Sequence, residues 1–363
     1  MEGEARGLSR KQFLGAAAAT AGAAAGAATL AKVAPEAFAS SPRIPVGRRG
    51  IILFSIRDRI SASATSAGSA EGIPYGFVQC FERLAEIGYR QVEFAGYNQS
   101  TSILGRQITP AEIRTALDNA GLNANGSHGT IPSTITETTL TAFDNYCNTA
   151  ATIGQNYIGT GNDPTNSNFV ADWDAACERW NILGERARTG FGLRLYTHNH
   201  DNAYNFLLDS GPLDTLGRPT RSSGIRKLEY FLQCSDKRYV HLEMDVYWAH
   251  VAQHRFRSYT NPDGEVVESI FDPGGLAAAN SQRYTIFHFK DGARTADPPG
   301  VGSGYTFVPF GTGDIDFATF VDRIGQRKEK NPNWEQDNAP GGSANPGQSF
   351  QFAEISYNNM AAL

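Results

Sequence analysis

Cysteine, histidine and clustered charge are all sparse in this chain, and each shortage removes a class of function. Only 19% of residues are charged, no long run of one sign occurs, and the formal charge is −5. Nucleic-acid binding needs clustered Lys and Arg to neutralise phosphates, so a nucleic-acid partner is not expected. The four cysteines, Cys80, Cys147, Cys177 and Cys234, contain no C-x-x-C pair, which argues against a zinc ribbon or a dithiol redox motif. Their simplest reading is as small buried hydrophobes, with a disulfide left open should the compartment be oxidising. No G-x-G-x-x-G follows an apolar run, which weakens a dinucleotide-binding open sheet. Apolar residues make up 40%, enough for a packed core and too many for disorder.

The first forty residues differ from the rest. Arg6, Arg10 and Lys11 precede an Ala/Gly-rich apolar stretch over 13–31, and Ala37-Phe38-Ala39 before Ser40 has the small-x-small form of a signal-peptidase site. The run Ser9-Arg10-Lys11-Gln12-Phe13-Leu14 resembles a twin-arginine export signal with lysine at its second arginine. Residues 1–39 are therefore expected to be a cleavable export signal, and 40–363 one domain in the periplasm or outside the cell. A retained membrane anchor is the competing reading on length. Ala and Gly insert less readily than Leu and Ile, and the cleavage site argues for removal, so no lasting membrane attachment is expected. Self-association into a homo-oligomer is left open.

From residue 50 onward, short β-branched or aromatic runs alternate with amphipathic stretches, the pattern of βα units and a parallel sheet. Eight runs are expected as strands: 50–56, 90–95, 122–127, 156–160, 192–199, 239–246, 284–290 and 333–337. Between the first two, Phe77, Cys80, Phe81, Leu84, Ala85 and Ile87 recur at helical spacing, and Gly88 marks a stop. Thr109-Pro110-Ala111-Glu112 is a helix start, with a capping threonine, a proline in the first turn and a capping-box glutamate. Eight such units close into a single (βα)8 barrel of the α/β class. Two longer stretches, 207–224 and 250–280, follow the C-terminal ends of strands five and six. They are candidates for substrate walls, or for surface insertions without a role.

Histidines and carboxylates gather at the ends of the last four runs. Run five ends Tyr196-Thr197-His198-Asn199-His200-Asp201, and run six Leu242-Glu243-Met244-Asp245-Val246-Tyr247-Trp248. Run seven reads Phe287-His288-Phe289-Lys290-Asp291-Gly292, and run eight Trp334-Glu335-Gln336-Asp337-Asn338. Alternate strand residues point into a barrel, so one ligand from each of four neighbouring strand ends converges on the axis. A lone strand-end histidine is more often a satisfied polar residue than a ligand. Four successive strands each delivering His, Asp or Glu make a mixed nitrogen and oxygen site for one divalent ion, Mn²⁺, Mg²⁺, Co²⁺ or Zn²⁺. His241, His250 and His254 lack this placement and read as structural or surface residues.

These strings, with Val308-Pro309-Phe310-Gly311-Thr312-Gly313-Asp314-Ile315-Asp316-Phe317, resemble the successive strand ends of the xylose isomerase-like sugar phosphate isomerase/epimerase superfamily over residues 50–363. The resemblance implies a TIM barrel whose metal is held by strand-end residues, matched here by Asp245, His288 and Glu335. His198 stands where many members carry a glutamate that is both ligand and acid/base, so the two-glutamate proton shuttle does not carry over. The histidine-rich string is closer to members that eliminate water from a keto-cyclitol. The expected metal set is His198, Asp245, His288 and Glu335. Glu335, His198, His200 and Lys290 are the expected catalytic residues. Glu93, His128, Trp248 and Asp291 are expected to meet substrate, with Glu93 and His128 equally readable as supports for the ligands.

The implied chemistry is proton abstraction next to a carbonyl of a small carbohydrate, by an isomerase or epimerase. The alternatives are a lyase or hydratase acting on a 3-keto-sugar, glycoside or cyclitol, and a non-catalytic sugar-binding barrel. Endonuclease relatives of this barrel present basic surfaces that this sequence lacks. Exported protein should give Ser40 as its first residue on N-terminal sequencing; a chain that keeps residue 1 and pellets with membranes would favour the anchor.

Overall fold

The computed structural model describes residues 42–61, 72–295, 304–325 and 330–363. The expected signal segment 1–39 lies outside them. Eight parallel strands close into a barrel: β1 Gly50–Ile52, β2 Gln91–Ala95, β3 Asn123–His128, β4 Tyr157–Thr160, β5 Arg194–Thr197, β6 Val240–Asp245, β7 Tyr284–Phe289 and β8 Asn331–Trp334. Each strand pairs with its neighbour in sequence, and β8 closes on β1 through Gly50 opposite Asn333. All eight expected runs contain a strand, three of them with boundaries displaced by two residues or more. The first run turns after Ile52 into a 3₁₀ helix, Leu53–Arg59. The fifth ends at Thr197, so His198 stands just beyond it. The eighth begins at Asn331 rather than residue 333: Pro332 lies within the strand, where its missing N–H reads in sequence as a strand breaker.

Helices α1 Phe77–Ile87, α2 Pro110–Ala120, α3 Glu137–Ile153, α4 Val170–Phe191 and α5 Lys227–Cys234 connect the first six strands. After β6 come α6 Val246–Arg255 and α7 Pro273–Ala279; α8 Phe317–Ile324 precedes β8 and α9 Gln348–Ala362 follows it. The α1 face expected from sequence is buried through Phe77, Cys80, Phe81 and Leu84. Thr109 and Glu112 cap α2 reciprocally. Among the described residues no helix is long and apolar enough to cross a membrane.

The hydrophobic core lies mainly between barrel and helices, around Phe81, Phe94, Leu117, Trp173, Trp180, Phe231, Phe287 and Phe320. Inside the barrel the filling is largely polar: Asn125 donates to Asn333 at 2.9 Å, and the Tyr196 ring spans the interior to reach Glu93. Glycine makes room for that ring. A Cβ on Gly159 would lie 2.4 Å from the Tyr196 carbonyl oxygen and 2.8 Å from its ring.

The two long stretches are structured. The first holds a hairpin of Ser210–Leu213 with Pro219–Arg221, and the second one of Ser258–Thr260 with Val266–Glu268. Ser222 N–H donates to the Thr260 carbonyl and joins them. The second stretch is less of a loop than expected, because α6 continues through His250 to Arg255.

Cys80 and Cys147 are the expected buried thiols, whereas Cys177 on α4 is bonded to Cys234 at the end of α5, closing a separation of 57 residues. Chain entropy assigns such a crosslink about 4 kcal/mol. Cys177→Ser or Cys234→Ser should lower unfolding free energy in urea by roughly 2–5 kcal/mol, and reductant should do the same to wild type but not to the variants. Equal stability with and without reductant would show that the bond contributes nothing.

Candidate functional site

Period-two alternation builds the site. On β6, residues 241, 243 and 245 share the inward face; on β7 the same face carries 286, 288 and 290, and through and beyond β8 it carries 333, 335 and 337. Register sets Asp245 beside His288. His198, Asp245, His288 and Glu335 therefore meet at the C-terminal mouth, each offering a ligand atom within 4.8 Å of the others, all buried. Nε2 of His198 is 3.4 Å from Oδ2 of Asp245, and Nδ1 of His288 is 2.7 Å from Oε2 of Glu335.

Oδ2 of Asp245, Oε2 of Glu335 and Nδ1 of His288 are out of water, yet none makes a geometrically sound hydrogen bond. Their contacts are ion pairs, with one another and with Lys290, and these leave hydrogen-bonding capacity unused at buried atoms. Two carboxylates and two imidazoles converging on one point fit a divalent cation. Burial opposes charge on Glu335, but His288 and Lys290 hold it well below the usual carboxylate range, and Lys290 lowers Asp245 against the same burial. Burial pushes His198 down to about 3, leaving a neutral imidazole whose lone pair is available to a metal.

Lys290 Nζ lies 3.0 Å from Asp245, 2.8 Å from Glu335 and 3.2 Å from Asp337. It sits under the rings of Trp248 and Phe307, 5.7 and 5.4 Å from their centroids. His200 is half-buried between His198 and Trp248, with ring centroids 4.9 and 5.5 Å away, and burial lowers its pKa. Asp163 accepts the backbone N–H of His200 at 2.9 Å and pins this loop. The structure thus brings His198, His200, Trp248, Asp245, His288, Lys290 and Glu335 to one mouth.

Beneath them lies a second group, Glu93, His128, Glu243 and His288. His128 Nε2 is 2.8 Å from Glu243, and His288 Nε2 is 3.1 Å from Glu93 and 3.0 Å from Glu243. Burial works against charge here too, yet the two histidines hold Glu243 down to about 2, and the carboxylates raise both imidazoles.

Two residues expected to meet substrate are engaged by other groups of the protein, and for Glu93 this is the supporting role that was its equal alternative. Glu93 is fully buried and its oxygens face Tyr196, Asn333 and the two imidazoles, so it backs His288. Asp291 accepts backbone N–H groups of Gly292, Gly311 and Gly313, which commits it to shaping the turn at residues 311–313. His128 is 15% exposed and belongs mainly to the inner group. His241 packs on Tyr157 inside the barrel, and His250 pairs with Tyr305. Sequence reasoning missed Glu243, Tyr196 and Asn333. Each stands two positions before a named residue, His198, Asp245 or Glu335, so alternation alone could have placed them on the inward face.

Several solved structures share this architecture. A sugar phosphate isomerase/epimerase from Parabacteroides distasonis is 20% identical over 90% of this chain and 98% of its own, with TM-score 0.59. The probable 3-DHS dehydratase of petrobactin synthesis from Bacillus anthracis is 11% identical over 86% and 97%, with TM-score 0.57. The IOLI protein, solved with a bound zinc atom, is 12% identical over 87% and 98%, with TM-score 0.56. At these identities the likeness is one of fold. Comparison with curated proteins finds no match. Residues 81–334 match the family described as xylose isomerase-like TIM barrel, and the chain belongs to that family.

Proposed function

We propose that this chain is a divalent-metal-dependent enzyme of the isomerase/epimerase type that removes a proton from the carbon next to a carbonyl of an unphosphorylated sugar or keto-sugar. The observation that carries this reading is the buried convergence of His198, Asp245, His288 and Glu335 at the barrel mouth. A cation held there supplies Lewis acidity to a carbonyl and a neighbouring hydroxyl. The chain's own groups do the rest. Glu335 is ionised and His200 neutral, so two bases face the mouth. Lys290, fixed between Asp245, Glu335 and Asp337, adds positive charge beside an oxyanion developing at the mouth without gripping it directly. Trp248 and Phe307 give apolar faces on which a sugar ring can stack.

Absence of phosphate from the substrate rests on charge. Lys290 is held by three carboxylates, and Arg57 donates to the carbonyls of Phe54 and Asp337, so neither is presented to a dianion. Residues 62–71 and 296–303, which follow in sequence from the ends of β1 and β7, contain no Lys or Arg. We further infer export, supported by the N-terminal pattern and by the Cys177–Cys234 bond, which suits an oxidising compartment.

One observation favours a second reading, elimination from a keto-sugar. His198 occupies the fifth-strand position and His200 lies beside it, so among the described residues no second glutamate joins the outer group, and His200, once it has taken the carbon-bound proton, could pass it to a departing oxygen.

Elemental analysis should find about one equivalent of Mn, Co, Zn or Mg in the purified protein, lost in both Asp245→Ala and Glu335→Ala. No metal bound, and none taken up on titration, would remove the enzyme reading and favour a sugar-binding barrel. With metal supplied, incubation with keto-sugars in D₂O should place deuterium next to the carbonyl. His200→Ala and Lys290→Ala should each slow that exchange by roughly 10²–10⁴-fold. Formation of an unsaturated ketone absorbing in the ultraviolet would identify elimination, and exchange without it isomerisation or epimerisation.

A further inference from the structure

The two nitrogens of His288 face opposite ways. Nδ1 looks outward to Glu335 at 2.7 Å, while Nε2 looks inward to Glu93 at 3.1 Å and Glu243 at 3.0 Å. Both inner carboxylates are fully buried, and both are held from behind. Tyr196 Oη and Asn333 Nδ2 donate to Glu93, the second at 2.7 Å, and His128 Nε2 lies 2.8 Å from Glu243. The surrounding backbone is cleared to let these groups meet. A Cβ on Gly161 would stand 2.8 Å from His128 Nδ1, and one on Gly126 3.0 Å from the Tyr196 hydroxyl.

Both nitrogens of His288 face carboxylates, Nδ1 toward Glu335 and Asp245 and Nε2 toward Glu93 and Glu243. A neutral imidazole carries one proton, and with Nδ1 turned to a cation shared with Asp245 and Glu335 that proton stays on Nε2. We propose that Glu93 and Glu243 are positioning residues which, braced by Tyr196, Asn333 and His128, fix His288 with its proton on Nε2 and its Nδ1 lone pair directed at the cation held by His198, Asp245 and Glu335. The inference rests on the metal-site reading above and extends it to residues that touch neither substrate nor cation. A buried ligand histidine without such partners would be free to rotate its ring or to place its proton on the ligating nitrogen.

The test titrates Mn²⁺ into metal-free full-length chain, reading stoichiometry and dissociation constant by calorimetry, for wild type, Glu93→Gln, Glu243→Gln and the double variant. Tyr196→Phe, which removes a single donor oxygen, is included in case a glutamine variant does not fold; circular dichroism and thermal unfolding check each. The Zn²⁺-loaded forms are compared by proton NMR for the far-downfield N–H resonance of a buried imidazole bonded to carboxylate. Stoichiometry should stay at one per chain while affinity falls about 10–100-fold in each glutamine variant and less in Tyr196→Phe. The N–H resonance should move upfield in the same order. Wild-type affinity and an unmoved resonance in folded variants would overturn the proposal and leave the two glutamates as packing. Two equivalents in wild type with one lost in the variants would overturn it differently, by making the inner group a cation site itself. A wild-type chain that takes up no cation fails the metal-site reading and the proposal together, an outcome distinct from both.

Discussion

His288 is sealed from water with acidic groups against both of its nitrogens, and the mouth of the barrel is arranged around that constraint. Glu335 and Asp245 lie on its outer side, Glu93 and Glu243 on its inner side. Like charges about 4 Å apart repel by about 4 kcal/mol at the effective dielectric near a protein surface, and by more deeper inside. Four carboxylates can share so small a volume only if positive charge or hydrogen-bond donors are interleaved. The chain interleaves them, with His288 central, His128 within the inner pair, His198 beside Asp245, and Lys290 closing the outer pair. No member of this set is independent of the others.

That interdependence explains what could be read from sequence. Barrel architecture and strand count follow from alternating runs and helical spacing, each a local signal. That His198, Asp245, His288 and Glu335 would meet was legible because they recur at strand ends. The inner group was only half legible. Glu243 stood in plain view two residues before Asp245, but a reading that assigns one ligand to each strand end stops at the first candidate. Glu93, readable equally as substrate contact or support, and Asp291, expected to meet substrate, both face other groups of the protein. A strand-end carboxylate reads the same whether it faces solvent, a histidine or three backbone amides; only the fold decides among them. The pairing of Cys177 with Cys234 was out of reach for a similar reason, since it depends on how α4 and α5 lie against each other.

Stability and chemistry occupy different layers of the molecule. Large aromatic side chains pack between strands and helices, away from the mouth. The barrel interior gives up much of the apolar filling common in such folds and uses Tyr196, Asn125 and Asn333 to carry hydrogen bonds toward Glu93 beneath the mouth. Glycines at 126, 159 and 161 are part of that trade, since a methyl group at any of them would press on Tyr196 or His128. Polar filling is tolerable because its members bond to one another, and half-satisfied it would be worse than an apolar core.

The histidine at the fifth strand gives the outer site its electrostatic character. Where a glutamate would add a negative charge, burial holds His198 neutral. With the same cation bound, the centre is therefore one unit more positive than its glutamate counterpart, whatever else surrounds it. Lys290, locked beside Glu335 and Asp245, adds to that bias. In a mouth shielded from water, excess positive charge stabilises an oxyanion more than it would in solution. It also weakens the carboxylates as proton acceptors, since the same groups hold Glu335 ionised. On the reading proposed above, such a site trades base strength at Glu335 for stabilisation of developing negative charge, and it leaves His200, whose imidazole burial keeps neutral, as a second group able to accept a proton.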